Sequence, residues 1–278
     1  MNWIVLSIFA GVASSLFSII NRIALKDKGD STSYGWWFEV VRSVFFLLIV
    51  LKSPLPELDL NSLIKLLLVS FSELLSVYVF MRMHSLTDVS ISSIVSRLRI
   101  VWSPIIAWLI ISERLTSIEY FGILIIFFGI ALVSSPREIK NDRGIKFAFL
   151  FSFSSAMLST LVKNASVNIS SEIIILSQGI APIIILPFLM KNRFQRIWHT
   201  ATNNLINILL AGSFNIASSY LLVEALRLTD ASKVVGIYQA MTILSVIYGI
   251  FVLKEKEKMY RKIFGIIIVI VGIILTVV

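Results

Sequence analysis

The chain has 278 residues, of which 57% are apolar and only 15% are charged, and its mean hydropathy is +0.91. An ordinary soluble domain carries about 25% charged residues, so this composition argues against a water-soluble globule. The absence of cysteine excludes disulfides, thiolate metal sites and cysteine nucleophiles. In a soluble protein, a net charge of +9 would suggest a nucleic-acid partner. In a membrane protein the basic residues of the loops set orientation instead, so we expect no nucleic-acid partner.

Ten continuous apolar runs follow one another along the chain, joined by short polar connections. Most approach the length of about 20 residues that a helix needs to cross a bilayer. Transmembrane β-strands would show alternating segments of about ten residues, which these runs do not. The sequence therefore predicts an all-α integral membrane protein with ten transmembrane helices. The predicted helices are 3–22, 34–51, 63–84, 88–111, 117–134, 144–163, 172–190, 204–224, 231–253 and 263–278.

An internal repeat relates the two halves of the chain. Several marks recur at an offset of 142 or 143 residues: Tyr78 and Tyr220, Leu86-Thr87-Asp88 and Leu228-Thr229-Asp230, Ser90 and Ser232, Glu113 and Glu255, Phe121-Gly122 and Phe264-Gly265, Gly129 and Gly272. The repeat predicts two five-helix units, residues 1–139 and 140–278, within one compact membrane domain. Because five is odd, the second unit enters the membrane from the opposite side. Inverted repeats of this kind are a recurring architecture of secondary transporters.

The basic residues predict how the bundle is oriented. Sixteen lysines and arginines lie in or beside the loops after odd-numbered helices, and six lie on the opposite face. Because cytoplasmic loops carry the excess of Lys and Arg, we expect the odd-numbered loops in the cytoplasm. Both termini of a multi-pass protein in the cytoplasmic membrane would then face outward.

Five ionisable residues fall deep inside predicted spans: Glu39, Arg42, Glu73, Arg97 and Arg99. A charge at the middle of a bilayer costs at least a few kcal/mol, so such residues are rare and usually functional. All five belong to the first half. The interpretations left open are a polar cavity and structural ion pairing, for example between Glu39 and Arg42 at i,i+3.

The second half supplies neutral hydrogen-bonding groups at matching positions. Asn215 is the repeat mate of Glu73, Gln239 is the mate of Arg97, and Tyr238 adjoins Gln239. Hydrogen bonds between helices are the alternative role for these side chains. Ser14 and Ser159 belong to small-residue stripes on helices 1 and 6, which indicate close packing or a sliding surface. The predicted substrate-binding residues are Arg97, Glu39, Glu73, Asn215, Tyr238 and Gln239.

The two arginines of helix 4 have different predicted roles. Arg97 and Arg99 are two residues apart, which is about 200° around a helix, so they cannot both face one cavity. We expect Arg97 to bind a carboxylate or phosphate of the substrate. We expect Arg99 to pair with a carboxylate on a neighbouring helix, most simply Glu73. Arg99 and Arg42 are thus the predicted structural charge-pair residues.

Enzyme signatures are missing from the sequence. There is no HExxH, Walker loop, GxSxG or GxGxxG motif, and the two histidines fall near predicted helix ends. We therefore expect no catalytic residue, no metal and no cofactor. The chain has no ATP-binding loop to drive transport by itself.

Two segments carry a resemblance to a known family. IIAWLIISERLTSIEYFGILIIFFGIALVSS (105–135) and IYGIFVLKEKEKMYRKIFGIIIVIVGIILTVV (247–278) resemble the EamA-type repeat of the drug/metabolite transporter superfamily. In that repeat an apolar helix, a short turn containing a glutamate and a helix punctuated by glycines follow one another. The matching residues here are Glu113, Glu255, Gly122, Gly129, Gly265 and Gly272. The resemblance implies a ten-helix bundle around a central cavity lined mainly by helices 3, 4, 8 and 9.

The resemblance also implies a secondary carrier, often an exporter of amino acids, metabolites, sugar phosphates or drugs. The two arginines of helix 4 depart from many such relatives and disfavour a pore for hydrophobic drugs. We expect alternating-access transport of a small polar metabolite: an amino acid, or an organic or phosphorylated anion. A coupling proton would bind at Glu39 or Glu73, because burial favours the neutral acid. The alternatives are a multidrug cation exporter of the same fold and an integral-membrane lipid-modifying enzyme.

Overall fold

A computed structural model describes residues 2–25, 30–52, 57–86, 96–133, 145–241 and 259–277. These residues form ten α-helices and no strand. The helices are α1 (Trp3–Leu25), α2 (Ser31–Val50), α3 (Leu60–Leu86), α4 (Arg99–Ile111), α5 (Ser117–Val133), α6 (Ile145–Ser166), α7 (Ser171–Ile185), α8 (Arg193–Leu228), α9 (Ala231–Ala240) and α10 (Met259–Val277). A 3-10 turn, Ser96–Leu98, leads into α4, and another, Leu186–Leu189, follows α7. The ten helices correspond one by one to the ten predicted runs, which confirms the all-α fold.

The helices have the length and surface of a membrane bundle. Within the described residues, α1, α2, α3, α8, and α7 together with the 3-10 turn after it, each contain a stretch long and apolar enough to cross a membrane. Helices α4, α5 and α10 contain shorter apolar stretches. Large apolar side chains point outward, and Phe128 is 63% exposed. Such an apolar exterior suits lipid rather than water.

Helix α8 consists of two parts. Asn204 has φ −130° and ψ 21°, which interrupts the helical backbone. The segment before it is rich in polar residues and carries Arg193 and Arg196, and the segment after it is the predicted eighth span. The break therefore separates a polar lead-in from the part of α8 that crosses the bundle.

Glycines show that the two halves are inverted relative to each other. A β-carbon built on Gly122 would lie 2.9 Å from the carbonyl oxygen of Gly272, and one on Gly129 would lie 2.9 Å from that of Gly265. Residue numbers rise along α5 as they fall along α10, so the two helices pack antiparallel. Gly122 and Gly265, and likewise Gly129 and Gly272, are repeat mates, so exchanging the halves converts one contact into the other.

The most extensive of the other helix contacts obey the same exchange. Helix α1 packs on α8 as α6 packs on α3; α2 packs on α8 as α7 packs on α3; and α4 packs on α6 as α9 packs on α1. Helices α2 and α7 pack on each other, as do α4 and α9. Replacing each helix in these pairs by the one five places away returns another of these pairs or the same pair. The bundle thus has a pseudo-twofold axis, whereas the unit boundary between 139 and 140 falls outside the described residues and stays a prediction.

Contacts between turns agree with ten successive crossings. The Glu113 carboxylate, between α4 and α5, accepts hydrogen bonds from the backbone N–H groups of Ala231 and Ser232 at the start of α9. At the opposite end of the bundle, Arg196 donates two hydrogen bonds to Asp30, just before α2. Each contact joins segments that ten alternating crossings place on the same side of the membrane.

Candidate functional site

Three buried charged side chains form one group between α2 and α3, named here the Glu39–Arg42–Glu73 triad. Arg42 Nη2 lies 2.5 Å from Glu39 Oε2 and 2.9 Å from Glu73 Oε1. Glu39 and Arg42 meet because they are one helical turn apart on α2, and Glu73 is brought to them by α3. The side chains of Arg42, Glu39 and Glu73 are 4%, 0% and 10% exposed.

The triad is joined to the second half of the chain through α8. Arg42 Nη1 donates to the Ser219 hydroxyl at 3.4 Å, and that hydroxyl donates to Asn215 Oδ1 at 3.2 Å. The structure therefore brings Glu39, Arg42, Glu73 and Asn215 into one continuous polar network. Each of these four was selected from sequence, but the intermediary Ser219 was not.

A second polar group surrounds Arg99, which is 8% exposed at the first residue of α4. Its Nη2 lies 2.5 Å from the Ser159 hydroxyl of α6, and its guanidinium carbon lies 5.4 Å from the centre of the Tyr238 ring of α9. The Tyr238 hydroxyl donates to Ser14 Oγ of α1 at 2.7 Å. Helices from both halves therefore meet at Arg99.

The structure corrects the predicted pairing of Glu73. Its carboxylate is bound by Arg42 and not by an arginine of α4. Glu73 attracts the Arg99 guanidinium only electrostatically, while the described direct contacts of Arg99 are the neutral Ser159 and Tyr238. The prediction was wrong because sequence spacing does not show which arginine the packing of α2, α3 and α4 brings to Glu73. Tyr238, a predicted substrate-binding residue, lies against Arg99.

Arg97 and Gln239 lie near the ends of the helical segments that carry Arg99 and Tyr238. Arg97 lies in the 3-10 turn before α4, and Gln239 lies one residue before the end of α9; both are half-buried, and each makes a polar, ring or electrostatic interaction. The predicted helix 4 began at residue 88, but residues 87–95 lie outside the described part. The substrate-binding role of these two side chains stays a prediction.

Several buried polar atoms have no hydrogen-bond partner within the described part of the chain. On α4 these are Arg99 Nε, Trp102 Nε1 and Ser103 Oγ, and in the triad they are Glu39 Oε1 and Arg42 Nε. Residues 99, 102 and 103 share one face of a helix. Buried polar groups are normally hydrogen-bonded, so this face presents donors suited to a polar ligand.

Sequence reasoning missed the serines that complete the two groups. Ser14 and Ser159 were interpreted as part of a packing or sliding surface, whereas they form hydrogen bonds with Tyr238 and Arg99. Serine in a span commonly bonds the carbonyl four residues earlier in its own helix, as Ser159 also does with Ser155. Only the facing helix shows which serines act across the bundle.

Other candidate sites in the described residues are poorer. No group of three His, Asp or Glu side chains there could hold a metal ion. A surface depression of about 410 Å³ lies where α7 passes into α8, lined by Met190, Asn192, Arg193, Phe194 and Gln195. The buried charges and the neutral groups of the same two polar groups lie instead between the halves. Helices α3 and α4 contribute Glu73 and Arg99, and α8 and α9 contribute Asn215 and Tyr238.

The fold and its buried charges define a multi-pass membrane protein built from two inverted five-helix repeats. The model of the EamA-like transporter family matches residues 1–135 and 142–278, so the chain belongs to that family. One solved structure, titled only as the crystal structure of a protein, is 12% identical with a TM-score of 0.69, over 98% of this chain and 95% of that one. That likeness shows the fold alone. No curated protein matches this chain.

Proposed function

We propose that the protein is a secondary transporter that moves a small polar metabolite bearing a carboxylate or phosphate across the cytoplasmic membrane. Transport proceeds by alternating access in the direction of export, with both termini outside. Membership of a transporter family supports the general class. One observation carries the substrate class: Arg99 is a buried cation whose described direct contacts are neutral.

The direct contacts of the buried charges favour an anion at Arg99. The two buried carboxylates that could neutralise it, on Glu39 and Glu73, are both bound to Arg42. A cation at membrane depth is costly unless it is paired. A guanidinium binds a carboxylate or phosphate through parallel hydrogen bonds, and Arg99 Nε has no described partner.

The neighbouring groups suit a small polar molecule around that anion. Trp102 Nε1 and Ser103 Oγ lie on the same face of α4 and are unpartnered in the described residues. The Tyr238 ring bounds the site from α9. Further groups of the substrate are proposed to bind Arg97, Asn215 and Gln239. Glu39 and Glu73 are proposed to influence substrate binding indirectly, through their contacts with Arg42.

Alternating access is supported by contacts between the halves at both ends of the bundle. Asp30 of the first half binds Arg196 of the second at one end. Glu119 of the first half lies 2.5 Å from Lys233 Nζ of the second at the other end. In a bundle of inverted repeats, opening one end while the other stays closed exposes a central site to each side in turn.

The two alternative functions fit the described residues less well. A multidrug cation exporter needs a carboxylate available to the drug, but Arg42 binds both carboxylates of the triad. A lipid-modifying enzyme needs a water-accessible cluster of His, Asp or Glu near one interface, and the family is one of transporters.

Ligand-dependent thermal unfolding of the purified protein tests the proposal. The panel pairs each carboxylate or phosphate compound with its uncharged amide or alcohol, because a ligand of the folded state raises apparent stability. We expect at least one anionic member to stabilise the protein and its neutral partner not to. Arg99→Gln should abolish the shift, Arg99→Lys should weaken it, and Arg114→Gln, which changes an exposed arginine three residues after α4, should preserve it. Stabilisation by organic cations alone would refute the proposal.

A further inference from the structure

We propose that the Glu39–Arg42–Glu73 triad holds one exchangeable proton, carried by Glu39, and that this proton is the coupling ion of transport. The inference rests on the proposed transport function, but it concerns different residues from those that hold the substrate. It divides the buried charges into two sites: an anion site at Arg99 and a proton site at the triad.

Charge counting is the first argument. One guanidinium nitrogen, Arg42 Nη2, contacts a carboxylate oxygen of both Glu39 and Glu73. With both acids ionised, the triad would carry a net negative charge within the membrane span. Two carboxylates that share one site resist simultaneous ionisation, so one of them retains a proton. The triad is then neutral, and losing or gaining that proton changes its charge by one.

The surroundings identify Glu39 as the proton carrier. Its side chain is fully buried, and its Oε1 has no hydrogen-bond partner among the described residues. An ionised oxygen left in that position is far more costly than a neutral one. The Glu73 side chain is 10% exposed, and no oxygen of its carboxylate is both buried and unpartnered among the described residues.

The charged groups that act on the triad from the neighbouring helices are few in the described part of the chain. Arg99 of α4 is one, and it acts on Glu73. The buried polar side chains of α7 are the neutral Ser171, Ser177 and Gln178, and α8 contributes the neutral Asn215 and Ser219. On α6 the buried polar side chains are serines and a threonine, and Lys163 interacts instead with Asp230 and Glu113. The protonation of Glu39 is therefore governed by Arg42 and Glu73.

The same arrangement couples the proton to movement of the two halves. Arg42 is held on one side by the two carboxylates of the first half and on the other by Ser219 of the second. When Glu39 loses its proton, the carboxylates of the first half attract Arg42 more strongly. The hydrogen bond from Arg42 to Ser219, and through it to Asn215, is then weakened. Proton release thus alters a contact that spans the interface between the repeats.

Infrared difference spectroscopy of the purified protein tests the proton site without any substrate. The carbonyl stretch of a buried protonated carboxylic acid should be present at neutral pH and shift in deuterium oxide. Glu39→Gln should remove it. Glu73→Gln should also remove it, because Arg42 then neutralises the single remaining carboxylate, whereas Glu57→Gln, in the exposed segment before α3, should retain it. Absence of the band in the parent protein, or its persistence in Glu39→Gln, would overturn the proton site.

A second measurement tests coupling. Proteoliposomes are loaded with a mixture of carboxylates and phosphate esters, and efflux is measured by mass spectrometry with and without an imposed pH gradient. The gradient should change efflux from the parent protein several-fold and leave efflux from Glu39→Gln unchanged. Glutamine mimics the neutral acid in shape, so this variant should fold, and its thermal unfolding without ligand checks that it does. If the pH gradient changed efflux from both proteins equally, coupling through Glu39 would be refuted. If no anion raised the unfolding temperature of the parent protein, the transport proposal alone would be refuted.

Discussion

The carboxylate of Glu113 binds the hydroxyl and the backbone N–H of Ser232, and so fastens the first half of the chain to the start of α9 in the second. It also accepts from the N–H of Ala231 at 2.7 Å. The first N–H groups of a helix have no partner within the helix, and a negative charge there is favourable. A buried glutamate outside the helix thus performs the capping role usually filled by the residue that precedes it.

Replacing Glu113 should destabilise the fold without changing the triad or Arg99. Glu113→Gln removes the negative charge and part of the acceptor capacity, which should cost about 1–3 kcal/mol, as expected when buried donors lose their acceptor. Thermal unfolding of the purified variant measures the loss. Glu57→Gln, at an exposed position, is the control and should unfold with the parent protein. Equal stability of all three would show that the capping contact contributes nothing.

The glycine contacts between α5 and α10 give a second prediction. A β-carbon on Gly272 would lie 2.7 Å from the backbone nitrogen of Ile126, so Gly272→Ala must push the two helices apart. We expect a clear fall in the unfolding temperature. At Gly236 the added carbon would meet only Ile126 Cδ1 at 3.6 Å, an ordinary contact. Because alanine favours helix over glycine by about 0.8–1 kcal/mol, Gly236→Ala should be neutral or stabilising. The reverse order would contradict the packing.

The contact between Asp30 and Arg196 should make stability depend on pH. Burial opposes ionisation of Asp30, but hydrogen bonds from Arg196 and Ser33 outweigh it and lower the pKa of the carboxyl below 3.8. The stabilisation is therefore fully present above the ordinary aspartate pKa and is lost as the pH falls through the lowered value. Asp30→Asn should be less stable than the parent at pH 7, and the difference should shrink in strong acid. A difference that is constant with pH would mean that the charge of Asp30 is not involved.

The orientation can be tested by labelling, since the chain has no cysteine. Asn192, between α7 and α8, and Asn168, between α6 and α7, are both exposed. A cysteine at Asn192 should react only with reagents that enter the cytoplasm, and one at Asn168 should react from outside. Labelling from the same side would contradict the crossing of α7, and exchanged sides would reverse the orientation. Cysteines at Lys140 and Lys256 (cytoplasmic) and at Ser53 (outside) extend the test to residues beyond the described ranges.

The fold was predictable because its determinants are local or periodic. Apolar runs of membrane length specify helices, and an odd number of helices per repeat specifies inversion. Even the glycines that meet between α5 and α10 were marked by the repeat, since Gly122 and Gly129 recur as Gly265 and Gly272. The antiparallel contacts confirm the relationship that the spacing predicts.

The pairing of the buried charges was only partly predictable. Glu39 and Arg42 are neighbours on one helix turn, so their contact follows from spacing alone. Which arginine binds Glu73 depends on how α2 and α4 are placed around α3, and sequence spacing carries no information about that placement. The hydrogen bond that Arg99 donates to Ser159 was not predictable for the same reason, because it depends on how α6 faces α4.

Metabolite efflux from proteoliposomes tests the central claim, transport of an anionic metabolite bound at Arg99, most directly. Vesicles are loaded with an equimolar mixture of carboxylates, phosphate esters, amino acids, amines and neutral sugars, and the released compounds are identified by mass spectrometry. The parent protein should release at least one compound that bears a carboxylate or phosphate. Arg99→Gln should slow that release about tenfold or more, since a charge-assisted hydrogen bond contributes about 1.5–3 kcal/mol, and Arg114→Gln should not. Release of amines or neutral sugars alone, or equal release by Arg99→Gln, would contradict the account.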